Sequence, residues 1–130
     1  MTADFRDFAR KLDRAACTMV EAPLLRAKQD LARRALTGIV ERTPSVSGHA
    51  RANWQVSIGQ PATGIVPGGD PSGAATLSNG VAAIMADRDP FATVWITNNA
   101  PYIQGLEQGG PDAAPAGMVA VTVAEVANAG

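Results

Sequence analysis

The side chains that could catalyse a reaction or hold a metal ion are few in this 130-residue chain. Asp87 and Asp89 flank Arg88, and Glu107 lies further along, so three carboxylates could bind a divalent cation if folding brings them together. Adjacent acids just ahead of a proline are also typical of a connection between a helix and a strand, and we favour that interpretation. A metal-dependent hydrolase is therefore one hypothesis, and convergence of the three carboxylates would be its test.

The single histidine and the single cysteine suggest little other chemistry. His49 lies in a predicted turn with Ser45 and Ser47, but a histidine base needs an orienting carboxylate and an activated nucleophile, and nothing in the turn marks either. We expect His49 to be an exposed turn residue. Cys17, alone in the chain, excludes a disulfide within the chain and a cysteine-based metal site. We expect it to be a small packed residue on a helix.

A basic helix face supports a second binding hypothesis, contact with DNA. Phosphate contacts need little more than such a face, and five basic residues lie on or near the predicted helix 24–42: Arg26, Lys28, Arg33, Arg34 and Arg42. However, Asp30 and Glu41 are interleaved with them, and no aromatic side chain accompanies them to stack on bases. Any contact with DNA is therefore expected to be non-specific.

Charge is distributed unevenly along the chain. Residues 1–51 carry ten Lys or Arg and six Asp or Glu, a net charge of +4, whereas residues 52–130 carry one Arg and six acids, a net charge of −5. Copies of the chain could be steered to pack a positive face on a negative one. A charged N-terminal helix with more solvated surface would give the same asymmetry, and the sequence leaves both readings open.

The composition predicts one domain, 1–130, with a modest core. Apolar residues make up 46% of the chain but aromatic residues only 5%, so we expect a partner surface to complete the core. No apolar stretch approaches the ~20 residues of a membrane span. A charged segment stands where a signal peptide would have its apolar region, so we expect the chain to be made and used in a cytoplasm, with no membrane contact.

The elements that must position these residues follow from periodicity. Residues 4–42 are predicted to be helical, with one apolar stripe of Phe5, Phe8, Leu12, Ala15, Ala16 and Met19, continued beyond Pro23 by Leu24, Leu31, Ala35 and Ile39. Pro23 removes a hydrogen bond and clashes with a carbonyl one turn back. We expect two helices with a hinge near Ala22 rather than one kinked helix. Two ion pairs one turn apart are expected, Asp7 with Lys11 and Asp30 with Arg34.

Two alternating stretches predict half-buried strands. Residues 52–58 place Trp54, Val56 and Ile58 on one side, and residues 91–97 place Trp95 opposite Val94 and Ile96. Residues 59–73 between them contain five glycines and three prolines, which predicts a mobile loop. The loop lacks the Gly-Lys-Ser/Thr ending of a phosphate-binding loop, so nucleotide binding is not expected.

Proline and glycine mark the remaining elements. Asp70-Pro71 suits the N-cap and first turn of a small-residue helix running to about Ala86, whose apolar side would comprise Leu77, Val81, Ile84 and Met85. Pro101 is expected to open a short helix that ends at Gly109-Gly110. Periodicity leaves residues 118–126 open between strand and helix. The fold class is therefore α+β, a long N-terminal helix packed on a small antiparallel sheet with additional short helices.

Three segments together resemble the tail-completion or neck proteins that join head to tail in long-tailed bacteriophages, including relatives of the lambda-type minor tail protein. The first is Glu41-Arg42-Thr43-Pro44-Ser45-Val46-Ser47-Gly48 followed by Arg51-Ala52-Asn53-Trp54. The second is Val94-Trp95-Ile96-Thr97-Asn98-Asn99-Ala100-Pro101-Tyr102 followed by Leu106-Glu107-Gln108-Gly109. The third is Ala114-Pro115-Ala116-Gly117-Met118. Each is weak alone, but their order and spacing are fairly specific.

The resemblance implies a virion structural protein, without catalysis or cofactor, that assembles as a ring at the junction of head and tail. It favours six-fold symmetry, neighbouring connector and tail proteins as partners, and a phage, prophage or gene transfer agent as the source. A tail terminator or connector stopper is the alternative within the same particle. It also implies a helix over residues 115–127. The motif residues it marks are Thr43, Pro44, Gly48, Arg51, Trp54, Asn98, Asn99, Pro101, Tyr102, Leu106 and Glu107.

The motif residues also make sense as architecture. Asn98 or Asn99 can accept from free backbone donors at a helix start, and Pro101 pre-sets its first turn. Tyr102 and Leu106 lie one turn apart and are expected to pack on the sheet. A further hypothesis pairs Glu107 with Arg51, which would tie the two motif regions together.

Overall fold

A computed structural model describes residues 5–45, 47–109 and 117–129 of the chain. Six helices and two strands follow one another in these ranges: α1 (Phe5–Ala16), α2 (Ala22–Arg42), α3 (His49–Ala52), β1 (Gln55–Ile58), α4 (Ala74–Ala86), β2 (Val94–Thr97), α5 (Ile103–Gln108) and α6 (Met118–Ala129). A π-helical segment, Cys17–Glu21, joins α1 to α2. The α+β class is confirmed, and residues 118–126 are helical. Residues 114–116 of the third motif lie outside the described ranges.

The predicted hinge at Ala22 is wrong, because the helix continues through this region with a wider turn. Glu21 and Ala22 keep right-handed helical dihedrals, and the Ala22 N–H donates to the carbonyl of Cys17, five residues back. Pro23 falls in the first turn of α2, where a missing N–H costs least. A π-helical turn therefore absorbs the proline without a break in the helix.

The sheet is a single antiparallel pair, with Val56 opposite Ile96 and Ser57 opposite Trp95. The predicted faces of β2 are confirmed, since Val94 and Ile96 pack against the core while Trp95 is 40% exposed. Both strands are shorter than predicted. Ala52, predicted to start the first strand, ends the helical turn α3, and β1 begins only at Gln55. Before β2, residues 89–92 form a turn in which Asp89 accepts hydrogen bonds from the N–H groups of Phe91 and Ala92.

The core forms around the C-terminal half of α2, which lies between α4 and α6. Its fully or nearly buried members are Leu36, Ile39, Val40, Trp54, Ile84 and Met118. The predicted apolar stripe of α2 is partly wrong, because Leu31 remains 44% exposed while Leu25 and Leu36 are buried. On α4, Met85 is likewise 43% exposed. On both α2 and α4, neighbouring elements therefore cover only part of the predicted apolar stripe.

Two buried glycines let the three helices approach closely. A Cβ at Gly38 of α2 would lie 2.8 Å from Thr122 Cγ2 on α6. A Cβ at Gly80 of α4 would overlap Leu36 Cδ2 and lie 3.1 Å from Val56 Cγ2. Leu36 is completely buried and cannot move outward into solvent. Glycine is a poor helix former, but at position 80 it is required by the close packing of α4.

We expect Gly80→Ala to lower the free energy of unfolding by about 1–3 kcal/mol, because overpacking outweighs the ~1 kcal/mol gain in helix propensity. Gly105→Ala is the matched control, since a Cβ there meets no atom within 4 Å. It should stabilise the protein by up to ~1 kcal/mol. Urea unfolding of both variants measures the difference, and two variants that stabilise equally would contradict the close packing of α4.

Candidate functional site

The motif residues of the first two segments meet at one place in the fold, where α2 ends and α3 and α5 begin. We call this place the motif corner and define it by Thr43, Arg51, Trp54, Asn98 and Tyr102. Its position follows from local sequence. Thr43 has extended dihedrals ahead of Pro44, which ends α2. Gly48, with φ of +80°, then turns the chain back into α3.

Gly48 and the residues around it leave no room for a side chain. A Cβ on Gly48 would lie 2.6 Å from the backbone of Asp70 and closer still to that of Pro71. The Gly48 carbonyl accepts hydrogen bonds from the N–H groups of Ala52 at 3.0 Å and Asp70 at 2.9 Å. Positive φ and close backbone approach therefore both require glycine here.

Thr43 is the centre of the motif corner and is 1% exposed. Its hydroxyl donates to the carbonyl of Ile39 at 2.6 Å and accepts from Trp54 Nε1 at 2.8 Å. Met118 Sδ lies 3.4 Å from the same oxygen. A hydroxyl has one hydrogen, and the carbonyl is the closer and stronger acceptor, so the sulfur is a packing contact. One side chain thus connects the end of α2, Trp54 just before β1, and α6.

Arg51 does not bind Glu107, and the predicted ion pair is wrong. Its guanidinium donates to three backbone carbonyls: Thr43 at 2.8 Å, Pro71 at 2.6 Å and Glu41 at 3.5 Å. The carbonyls of Glu41 and Thr43 lie at the end of α2, where no further helical N–H groups follow to bind them. Arg51 therefore caps α2 and holds the loop before α4 against it.

Glu107 instead caps α6. Its carboxylate accepts from the backbone N–H groups of Val119 at 2.8 Å and Ala120 at 3.0 Å, and its own carbonyl accepts from Gly117. A carboxylate at a helix N-terminus satisfies free donors and is favoured by the helix dipole. Glu107 therefore joins the second motif to the third, at the start of α6, and not to the first motif through Arg51 as predicted.

The asparagines and Tyr102 complete the motif corner. Asn98 accepts from the Ala100 N–H and donates to the carbonyl of Ala50, each at 3.0 Å. Asn99 donates to the carbonyls of Ala62 and Gly64. Tyr102 is 44% exposed and does not pack on the sheet as predicted, because its hydroxyl lies 2.5 Å from His49 Nδ1. His49 is therefore half-buried and paired, not simply an exposed turn residue.

Pro101 and Leu106 have simpler roles. Pro101 is exposed and lies in the turn before α5, which begins two residues later than predicted. Leu106 is partly buried and packs against the core cluster, whereas the prediction placed it on the sheet. The Gly109 residue, with φ of +79°, ends the helix.

Sequence reasoning missed Asn53, the fully buried residue beside Trp54. Its amide exchanges two hydrogen bonds with the backbone of Val66, at 2.8 and 3.1 Å, and donates to the carbonyl of His49. Together with Asn99 it holds loop 59–73 at Ala62, Gly64 and Val66. Mobility of this loop in solution stays a prediction. No spacing signal in the sequence distinguishes Asn53 from a solvent-facing strand residue.

The start of α4 also differs from prediction. The helix begins at Ala74, with Gly73 in the left-handed region, not at Pro71. Asp70 nevertheless caps it from a distance, because its carboxylate accepts from both the N–H and the hydroxyl of Thr76 at 2.8 Å. These hydrogen bonds from Thr76 lower the pKa of Asp70 below its ordinary value.

The candidate metal carboxylates do not converge. Asp87 binds Lys28, whose Nζ lies 2.6 Å from Oδ2 and also donates to the carbonyls of Asp89 and Ala92, while Glu107 caps α6. Among the described residues no group of three His, Cys, Asp or Glu is placed to hold a metal ion. Cys17 is exposed, so the prediction of a packed cysteine is wrong.

The basic face of α2 is largely neutralised by carboxylates. Arg33 and Arg34 both pair with Asp30, and the Asp30–Arg34 pair was predicted. The other predicted pair, Asp7 with Lys11, forms on α1. Lys28 is committed to Asp87, and Arg42 pairs with Glu125 of α6. These ion pairs weaken the case for a phosphate-binding face.

Comparisons with protein-family models, with curated proteins and with solved structures give no match for this chain. No helix within the described ranges is long and apolar enough to cross a membrane.

Thr43→Val should lower the free energy of unfolding by about 1–3 kcal/mol, because it leaves the buried Trp54 N–H without an acceptor while keeping the side-chain shape. Thr37→Val is the control, since that hydroxyl makes the same bond to the carbonyl four residues back but is exposed. It should change stability by less than ~0.5 kcal/mol. Equal effects in urea unfolding would contradict the central position of Thr43.

Asp87→Asn tests the partly buried ion pair. The hydrogen bond from Lys28 lowers the pKa of Asp87 from 3.8. The charged carboxylate of Asp87 therefore stabilises the protein above pH 3.8, and this contribution is lost as the pH falls through the lower pKa of Asp87 in the folded state. At pH 7 we expect a loss of about 1–3 kcal/mol, because the pair is only part-buried and the asparagine oxygen can still accept from Lys28.

The difference between wild type and Asp87→Asn should shrink as the pH of unfolding is taken below 3.8. Asp13→Asn, on the exposed face of α1, is the control and should change little at any pH. A difference in the free energy of unfolding that stays constant across the acid range would show that the charge of Asp87 does not cause the loss of stability in Asp87→Asn.

Proposed function

We propose that this chain is a structural subunit of the head–tail junction of a long-tailed phage or a related gene transfer agent, acting in the neck or in tail completion. The proposal rests on the resemblance of three segments, in their order and spacing, to motifs of that family. No catalytic activity or cofactor is part of it.

One observation about the motif residues carries the proposal. Their polar groups are engaged with the protein itself: Arg51 with three carbonyls, Asn98 and Asn99 with backbone, Glu107 with the start of α6, and Thr43 with Trp54. Side chains used in this way do not converge on a pocket where a substrate could react. The motifs are better explained as the framework of a scaffold than as a reaction site.

Exposed apolar side chains supply the second support. Phe8, Met19, Phe91 and Val123 are each more than half exposed, and α1 lies apart from the core cluster. A subunit that leaves this much apolar surface uncovered is suited to assembly with neighbours. We infer a ring of copies, six-fold in the particle, bounded by other connector and tail proteins and contacting the passing DNA only non-specifically.

The test is deletion of the gene from the phage-like element that encodes the chain. We expect DNA-filled heads and separate tails of normal length, because the parts form but do not join. Negative-stain electron microscopy counts the products, and a wild-type copy supplied separately should restore whole particles.

Two other outcomes have distinct meanings. Tails of uncontrolled length would identify a tail terminator, since a terminator stops polymerisation of the tube. Normal, joined and infectious particles without the protein would contradict a role at the junction altogether. Immunogold label on a tagged copy at the neck would separate a neck position from one further down the tail.

A further inference from the structure

The outer edge of β2 carries backbone groups that no other described part of the chain pairs. In an antiparallel ladder, opposite residues alternate between exchanging hydrogen bonds and exchanging none. The Gly59 N–H donates to the Thr93 carbonyl at 2.8 Å, and every second residue of β2 after Thr93 continues the exchange with β1. The N–H and C=O groups of Val94 and Ile96 therefore point away from β1. Within the described ranges they have no hydrogen-bond partner.

An open apolar groove lies beside this edge, between α2, β2 and α6. Its volume is about 530 Å³. Aliphatic side chains of α2 and α6 form its floor and its opposite wall: Leu31, Ala32, Ala35, Val123, Val126 and Ala127. Val94 and Ile96 are half-buried and form the wall that carries the free backbone groups. The groove thus offers hydrogen bonds on one side and apolar surface on the others.

β2 lacks the features that keep an open edge from pairing with another strand. Natural edge strands are protected by charged side chains, prolines or bulges. Val94–Thr97 contains no charged residue and no proline, and its register with β1 is regular. The charged residue in the groove, Lys28, is held by Asp87 and by the carbonyl of Ala92, before the strand begins. The edge is therefore free to pair.

These features specify an extended backbone as the occupant of the groove. A strand lies about 4.8 Å from its neighbour and presents N–H and C=O groups along its length. A helix is about 10 Å wide and uses its backbone groups internally, so it would leave the edge of β2 unpaired. Because α6 forms the opposite wall, a single strand can enter, but the edge of another folded sheet would meet α6.

We propose that an extended segment of a partner protein adds to β2 as a third, antiparallel strand and fills the groove. Its backbone pairs with the N–H and C=O groups of Val94 and Ile96, and antiparallel pairing is the more stable arrangement. Directly opposite residues share one face of a sheet. Every second side chain of the segment therefore points onto Leu31 and Ala35 and is aliphatic, while those between face solvent and are polar.

This contact is independent of the proposed place at the head–tail junction, because it follows from the hydrogen-bond pattern of β2 and the lining of the groove. It identifies the kind of partner as a protein with a free strand of alternating aliphatic and polar residues and without proline. A two-stranded sheet is marginal alone, and a third strand on its open edge would stabilise it.

A synthetic peptide of alternating threonine and valine tests the pairing. It is added at up to millimolar concentration to the 130-residue protein, and hydrogen exchange is followed by NMR at single amides. At saturation we expect exchange at Val94 and Ile96 to slow by roughly tenfold or more, because both amides become donors to the peptide. Trp95 and Thr97, already paired with β1, are internal controls and should change little. Unchanged exchange at all four amides would contradict strand addition.

Methylation of the peptide nitrogens supplies a matched control. In an antiparallel strand whose valines face α2, the valine N–H groups donate to β2 and the threonine N–H groups point away. N-methylation of the valines should therefore weaken binding by roughly tenfold or more. N-methylation of the threonines should leave binding nearly unchanged. Any other order of affinity between the two methylated peptides would contradict antiparallel pairing.

Two leucines of α2 show whether the peptide lies in the groove. Leu31 lines the groove and Leu24 does not, yet their exposed fractions are similar, 44% and 40%. Leu31→Lys should weaken peptide binding by roughly tenfold, because it removes apolar surface from the floor, and Leu24→Lys should not. Neither leucine belongs to the core cluster, so circular dichroism should stay unchanged in both variants.

Two results with these reagents would overturn the proposal. Equal losses of affinity in the two leucine variants would place the peptide outside the groove. A peptide that copies residues 6–20, if it bound as a helix and displaced the strand peptide, would show that the groove takes a helix instead.

Discussion

The hydroxyl of Thr43 is the interaction on which most of this structure depends. It donates to the Ile39 carbonyl in the last turns of α2, accepts the indole N–H of Trp54 and touches Met118 of α6, so three parts of the chain share one buried oxygen. A buried donor without a partner costs far more than a satisfied one contributes. The Trp54 side chain, and with it the entry into β1, therefore has one low-energy position relative to α2.

Tight helix packing around α2 follows from the small-residue composition. Gly38 lets Thr122 of α6 approach from one side, and Gly80 lets α4 rest on Leu36 from the other. With 5% aromatic residues the chain cannot fill wide gaps, so the helices come closer instead. The result is a narrow core that leaves apolar side chains such as Phe8, Phe91 and Val123 exposed, and this is the physical basis for expecting assembly.

Side-chain amides replace much of the backbone pairing that a larger sheet would supply. Two strands of four residues are marginal alone, and the connections around them carry many backbone groups that need partners. Asn53, Asn98 and Asn99 supply these partners at the loop and at α3, and Arg51 and Glu107 do the same at helix ends. The motif residues thus act as substitutes for secondary structure, which suits a scaffold.

Local signals in the sequence determined the class of the fold, the end of α2 before Pro44, the faces of β2 and the pairing of Asp30 with Arg34, because each depends on residues within a turn or two. Only the tertiary structure decided which partner Glu107 takes. A helix start offers free N–H donors to any carboxylate that comes near. Which carboxylate comes near depends on the tertiary fold, and the spacing of residues along the sequence does not predict it. For the same reason the stripe that includes Leu12 is exposed, although its spacing is typical of a packed helix face. Burial needs a second surface, and the described residues bring none to α1.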